Sequence, residues 1–160
     1  MNKKNFKVTA FLNMFGLAKV PLILFCTPRV VEMTDKNFIV KIPLSYRTKN
    51  HLNSMYFAAL AVGAEISVAA PAVVAINEGK LKIDFVFKDF KANFLKRADG
   101  DVHFVCEEVS EVISLIEEAK KNTERIEKKI KGYAVVPSKS EIDPVMTYEL
   151  TLSVKNRIKS

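Results

Sequence analysis

Glu65 is the one charged side chain among the twenty residues from Phe57 to Ile76, a run made mostly of Ala, Gly, Ser and Val. Desolvation in such surroundings raises a carboxyl pKa toward the range where the group can take a proton near neutral pH. The competing reading is a structural carboxylate hydrogen-bonded in the core, because a buried acid is retained only with a partner. Other residues capable of chemistry are sparse. Cys26 and Cys106 lie far apart without CxxC spacing, and only His51 and His103 could join them. That ligand count speaks against a metal site. Nothing beside His51 forms a histidine–acid pair, and His103 has the opposite strand parity to Phe104, which predicts a solvent-facing ring. There is no Gly-rich phosphate loop, no Gly-x-Ser-x-Gly nucleophile elbow and no nucleic-acid-binding motif.

The element that must position Glu65 is apolar all round, which predicts a helix buried on all sides. It is long enough to span a bilayer. Glu65 near its middle and Pro71 beyond argue against a span, since a carboxylate at the bilayer centre costs ~2.5–3.5 kcal/mol even on an insertion scale. The helix is expected from about Ser54 to Val68–Ala70, capped by Asn53 or Ser54. Pro71 either ends it or starts a second short turn to Ile76.

Around this helix the periodicity is that of strands. Val30 to Thr34 and Phe38 to Leu44 flank the turn Asp35-Lys36-Asn37 and read as a hairpin. Leu81, Ile83, Phe85 and Phe87 share one face, whereas Phe90, Ala92 and Phe94 have the other parity, which predicts a bulge between the two sets. Ala98 to Asp101 reads as a hairpin turn into a strand with Val102, Phe104 and Cys106. From Ser110 to about Asn122 the period becomes helical. Strands return at Glu124–Pro137 and from Met146 to Val154. Before the first strand, residues 5–18 read as an amphipathic helix whose Phe6, Ala10, Phe11, Met14 and Leu17 lie against the domain. Membrane association through that helix is a second use for its apolar face. Pro21 opens a short apolar turn, Leu22–Phe25.

The chain has 160 residues, 49% hydrophobic and 27% charged, in keeping with one soluble α+β domain. Residues 1–28 form a helical extension and residues 29–160 the main domain. The net charge of +7 reads first as a solvated basic surface. Two unpaired thiols are the expectation for a cytoplasmic protein.

A long bent antiparallel sheet around one apolar helix resembles the hotdog fold. The helix start resembles acyl-CoA thioesterases of the phenylacetate-pathway (PaaI-like) type, whose motif runs Asn, two residues, Gly-Thr, one residue, His-Gly-Gly-Ala-Leu, and an acid further along. Asn50, Ala59, Leu60 and Glu65 coincide with it, and Ser54 replaces Thr. Tyr56 stands where that family has His, and Phe57-Ala58 replace Gly-Gly. The chain as a whole resembles an uncharacterised bacterial branch of the superfamily, a domain of unknown function that shares the N-terminal helical extension and keeps Glu.

The resemblance implies Glu65 as general base or nucleophile and the Phe57 N–H as the clamp on the thioester oxygen. It implies Asn50 as a water-positioning residue, though Asn also organises turns. Substrate contacts are expected from Tyr56, Ser54 and Ala58, and from Lys96 and Arg97 toward CoA phosphates. Tyr56 also suits plain packing, Ser54 a helix cap, and the two cations a solvated strand end. Phe57 and Glu65 are eight residues apart, about 12 Å along a helix. One thioester carbonyl cannot touch both, so two neighbouring subunits are expected to supply them, in a homodimer or a tetramer made of two dimers. No cofactor is implied beyond CoA as part of the substrate, and neither nucleic acid nor a membrane span is expected. The leading expectation is hydrolysis of an acyl-CoA or related thioester. The alternative is a non-catalytic module that binds an acyl chain or acyl-CoA. The His-containing motif of hotdog dehydratases is absent.

Overall fold

The computed structural model describes residues 3–157. Two helices come first, α1 (Lys3–Ala18) and α2 (Pro21–Phe25), then strands β1 (Arg29–Met33) and β2 (Phe38–Ile42). The long helix α3 (Phe57–Glu78) follows, then β3 (Ile83–Phe94), β4 (Val102–Cys106), helix α4 (Val109–Lys120), β5 (Ile126–Val135) and β6 (Met146–Asn156). The six strands form one sheet in the order β1-β2-β4-β5-β6-β3, antiparallel throughout. The sheet curls around α3, which is the hotdog fold.

Small residues let the sheet close on the helix. Gly63 faces β4 so closely that a Cβ there would sit 2.2 Å from the Phe104 ring. Ala64, Val68 and Ala72, on successive turns of α3, are fully buried. Enclosure is incomplete, however. Ala58, Ala61, Glu65 and Ala69 form a half-buried stripe along α3, so the helix is wrapped on most sides rather than all. The helix also continues through Pro71 to Glu78. Burial of Val68, Ala70, Pro71 and Ala72 outweighs the ~3 kcal/mol that an interior proline costs.

The helix starts later than Ser54. Tyr56 is the N-cap residue, with extended backbone and no side-chain cap bond. The residues before Phe57 are held extended instead: the Met55 N–H donates to the Ala98 carbonyl at 2.7 Å and the Tyr56 N–H to the Thr48 carbonyl at 2.7 Å. Asn53 does not cap either; it takes a left-handed turn conformation, φ 57°.

Two further expectations are corrected. Ala98–Asp101 is a crossover and not a hairpin, because β3 pairs with β6 at the sheet edge while β4 lies between β2 and β5. Asp101 directs this: its carboxylate accepts from the Leu44 N–H at 2.9 Å and from Lys41 Nζ at 3.0 Å, which ties the start of β4 to the end of β2. The rotation of α1 is also different from that expected. Phe6, Met14 and Leu17 point outward, 59%, 68% and 71% exposed, while Asn5, Val8, Leu12 and Gly16 are buried. Polar contacts fix this orientation. Asn5 Nδ2 donates to the Val31 carbonyl at 2.6 Å, and Thr9 Oγ1 accepts from the Val30 N–H at 2.9 Å. Gly16 lets α2 approach, since a Cβ there would meet the Leu24 nitrogen at 2.8 Å. The bulge between Phe87 and Phe90 is present as expected.

Candidate active site

The loop ahead of α3 is a closed polar unit. Asn50 Oδ1 accepts from the Leu52 N–H at 2.9 Å and the Ser54 N–H at 3.2 Å, and Asn50 Nδ2 donates to Ser54 Oγ at 3.1 Å. The Asn50 N–H itself donates to the Ser54 carbonyl at 2.8 Å. Arg97 clamps the loop from outside, its guanidinium donating to the Leu52 carbonyl at 2.7 Å. Lys96 forms an ion pair with Asp143. Asn50 and Ser54 are thus brought together and engaged with each other, and Arg97 joins them. Lys96 stands apart, paired to the loop before β6.

That rigid loop delivers the chain into α3 at Phe57. The first α3 N–H with an intrahelical acceptor is that of Leu60, which donates to the Tyr56 carbonyl at 3.1 Å. The N–H groups of Phe57, Ala58 and Ala59 precede it and carry the positive end of the helix dipole. The Phe57 ring is 58% exposed and lies edge-on to Tyr56 (5.9 Å) and Phe94 (6.1 Å). It stands at one end of an apolar groove of about 620 Å³ between the half-buried stripe of α3 and the strand β3. Ala58, Ala61 and Glu65 line the helix side, and Phe85, Phe87 and Phe90 the strand side.

Among the described residues, Glu65 is the single ionisable group lining this groove. Burial pushes its carboxyl above the ordinary glutamate value. Among the described residues no side chain donates to it, and desolvation is the sole cause of the shift. The carboxyl therefore lacks the partner that a structural role requires.

The other reactive groups are placed away from the groove. Cys26 and Cys106 are buried free thiols, both pushed up by burial, Cys106 to about 11. Neither is a ready nucleophile. His103 is half-buried rather than solvent-facing, and desolvation, then Lys41, holds its pKa down. His51 is exposed. No group of three or more His, Cys, Asp or Glu suited to a metal occurs among the described residues. Sequence reading missed that the N-terminal helices reach the site: Leu22 of α2 lines the groove, and α1 and α2 wall a second cavity beside Glu65. The apolar residues of the Leu12–Ile23 stretch carried that signal, but nothing in their spacing said which part of α3 they cover.

A curled antiparallel sheet around one long helix, with a groove opening on a lone helical carboxylate, defines a hotdog-fold protein. The chain belongs to the family described as domain of unknown function DUF4442, which it matches over residues 9–154. No curated protein sequence matches it. Several solved structures share the fold. One is a protein of unknown function from Chlorobaculum tepidum, 11% identical with a TM-score of 0.79, covering 96% of this chain and 97% of that one. A Pseudomonas aeruginosa protein described as a probable thioesterase is 17% identical with a TM-score of 0.74, covering 93% and 96%. A thioesterase from Haemophilus influenzae is 15% identical with a TM-score of 0.65, covering 91% and 90%. At such identities the likeness is one of fold.

Proposed function

We propose that this protein hydrolyses an acyl thioester, of the acyl-CoA class, in a site shared between two copies of the chain. The observation that carries the reading is Glu65: an ionisable group without a partner among the described residues, half-buried in an apolar groove that Phe57 and Ala58 of the α3 start also line. Two solved hotdog proteins with the same fold are described as a thioesterase and a probable thioesterase, in support.

In this reaction the ionised Glu65 takes a proton from water as the water oxygen bonds to the thioester carbonyl carbon. Negative charge moves to the carbonyl oxygen, where the Phe57 N–H stabilises it. The carbon–sulfur bond then breaks, the proton on Glu65 passes to the leaving thiolate, and a carboxylic acid and free CoA result. Direct attack by Glu65, followed by hydrolysis of the anhydride, uses the same two groups. Within one α3 the Phe57 N–H and Glu65 lie about 12 Å apart. A second copy closes that distance by setting its α3 start against Glu65. The sheet edge favours such a neighbour. β3 is twelve residues long, pairs on one side only, and exposes Val86, Phe90 and Phe94. A long apolar edge strand is an aggregation hazard unless something covers it.

A panel of acyl-CoAs with detection of released CoA tests this, alongside Glu65→Gln. Hydrolysis by the natural chain and its loss in the variant are expected. The exposed Phe57 ring, standing at the groove end, favours a second reading, a binding module without turnover. Equal negligible rates for both proteins, with acyl-CoA still bound, would establish that reading instead.

A further inference from the structure

Beside the groove, a second cavity of about 200 Å³ is also lined by Glu65. Glu65 and Phe85 line both spaces, so the two meet at the carboxylate. This inner compartment is walled by Leu12 and Phe15 of α1, Val20 and Ile23 around the start of α2, and Ala69 and Val73 of α3. Among the described residues Glu65 is the one ionisable residue lining it, so it offers nothing for a charged ligand except at that carboxyl. An apolar space with few polar partners stays dry and takes apolar occupants.

We propose that the compartment beneath Glu65 receives the acyl tail of the substrate, and that the α1–α2 helical pair sets the longest tail the protein accepts. This rests on the acyl-thioester reading of the outer groove. The geometry matches a tail that turns aside at the carbonyl, with the thioester beside Glu65 and the hydrocarbon in the compartment. Taking a methylene as roughly the bulk of a water molecule, ~30 Å³, the compartment holds about six or seven of them. The tail is thus a medium-length one, and the specificity residues are Val20 and Ala69. Both line the compartment, one from the α1–α2 turn and one from α3.

The test is calorimetric binding of straight-chain acyl-CoAs, from acetyl to dodecanoyl, to Glu65→Gln, with and without Ala69→Leu or Val20→Phe. Binding should tighten roughly fourfold per methylene up to about eight carbons and then level off or weaken. Either filling substitution should move that break about two or three carbons shorter. Two variants on different elements keep the test meaningful if one fails to fold. Affinity that ignores chain length, a break that neither variant moves, or no binding at any length would overturn the compartment. CoA release by the natural chain is followed on the same series. A moving break without any CoA release would retain the compartment and remove only the hydrolase reading.

Discussion

Glu65 lives in two opposed energetic demands. Burial raises its pKa from the ordinary 4.5, so folding is penalised once the carboxyl must ionise. The penalty is absent below the unfolded-state pKa, grows as pH rises through the window between the unfolded and the raised folded value, and is complete above the latter. Glu65→Gln should therefore melt at a higher temperature than the natural chain at pH 7–8, and the advantage should vanish as pH falls below the ordinary glutamate range. Thermal melts of both proteins across pH check this. Hydrolysis should follow the opposite limb, rising with pH through the raised pKa of Glu65 as the base ionises, a limb absent in the variant. A protein that keeps an unpartnered acid at a stability penalty resembles the stability–activity trade seen at working sites. The sequence made Glu65 legible because its neighbours are uniformly small and apolar. It did not reveal that Asn50 spends its amide on Leu52 and Ser54, since the loop closure that brings Ser54 back to Asn50 depends on Thr48 and Ala98 holding the segment extended.

At the scale of elements, the helix start is only as well placed as the loop that feeds it. Asn50→Ala removes the acceptor for two backbone N–H groups and should cost about 1–2 kcal/mol. If the loop also positions the Phe57 N–H, the same change should lower kcat by more than it alters KM, and steady-state kinetics beside denaturant melts separate the two effects. The fit of α3 within the sheet is similarly strict. Gly63→Val would drive methyl groups into the Phe104 ring and should destabilise by about 1–3 kcal/mol, measured by urea unfolding. Which elements form was readable from period and parity, including the bulge at Phe87/Phe90. Of the pairings, the β1–β2 hairpin was readable and those of the longer strands were not. The turn at Ala98–Asp101 has hairpin residues, yet Asp101 reaches back to Lys41 and Leu44, a contact some sixty residues distant in sequence. The rotation of α1 was misread for a related reason. Its inward face is chosen by Asn5 and Thr9 bonding to β1 backbone, and hydrophobic periodicity is blind to such bonds.

Taken whole, the molecule exposes two features that a solitary chain handles poorly: a long unpaired sheet edge and an apolar groove ending at aromatic rings. A second copy placed across β3 would cover both and bring a foreign α3 start to Glu65. Val86→Lys puts a charge on that edge and should shift the protein toward monomer in sedimentation, with loss of hydrolysis in proportion. The most direct measurement is subunit complementation. Phe57→Pro removes the clamp N–H at the first helical position, where proline is tolerated, and Glu65→Gln removes the base. Each protein alone should be inactive. Unfolded together and refolded as a mixture, half the dimers are mixed and each mixed dimer regains one whole site, so about a quarter of the natural activity should return, as two-fold symmetry requires. A mixture that forms mixed dimers and remains inactive would contradict a site built from two chains.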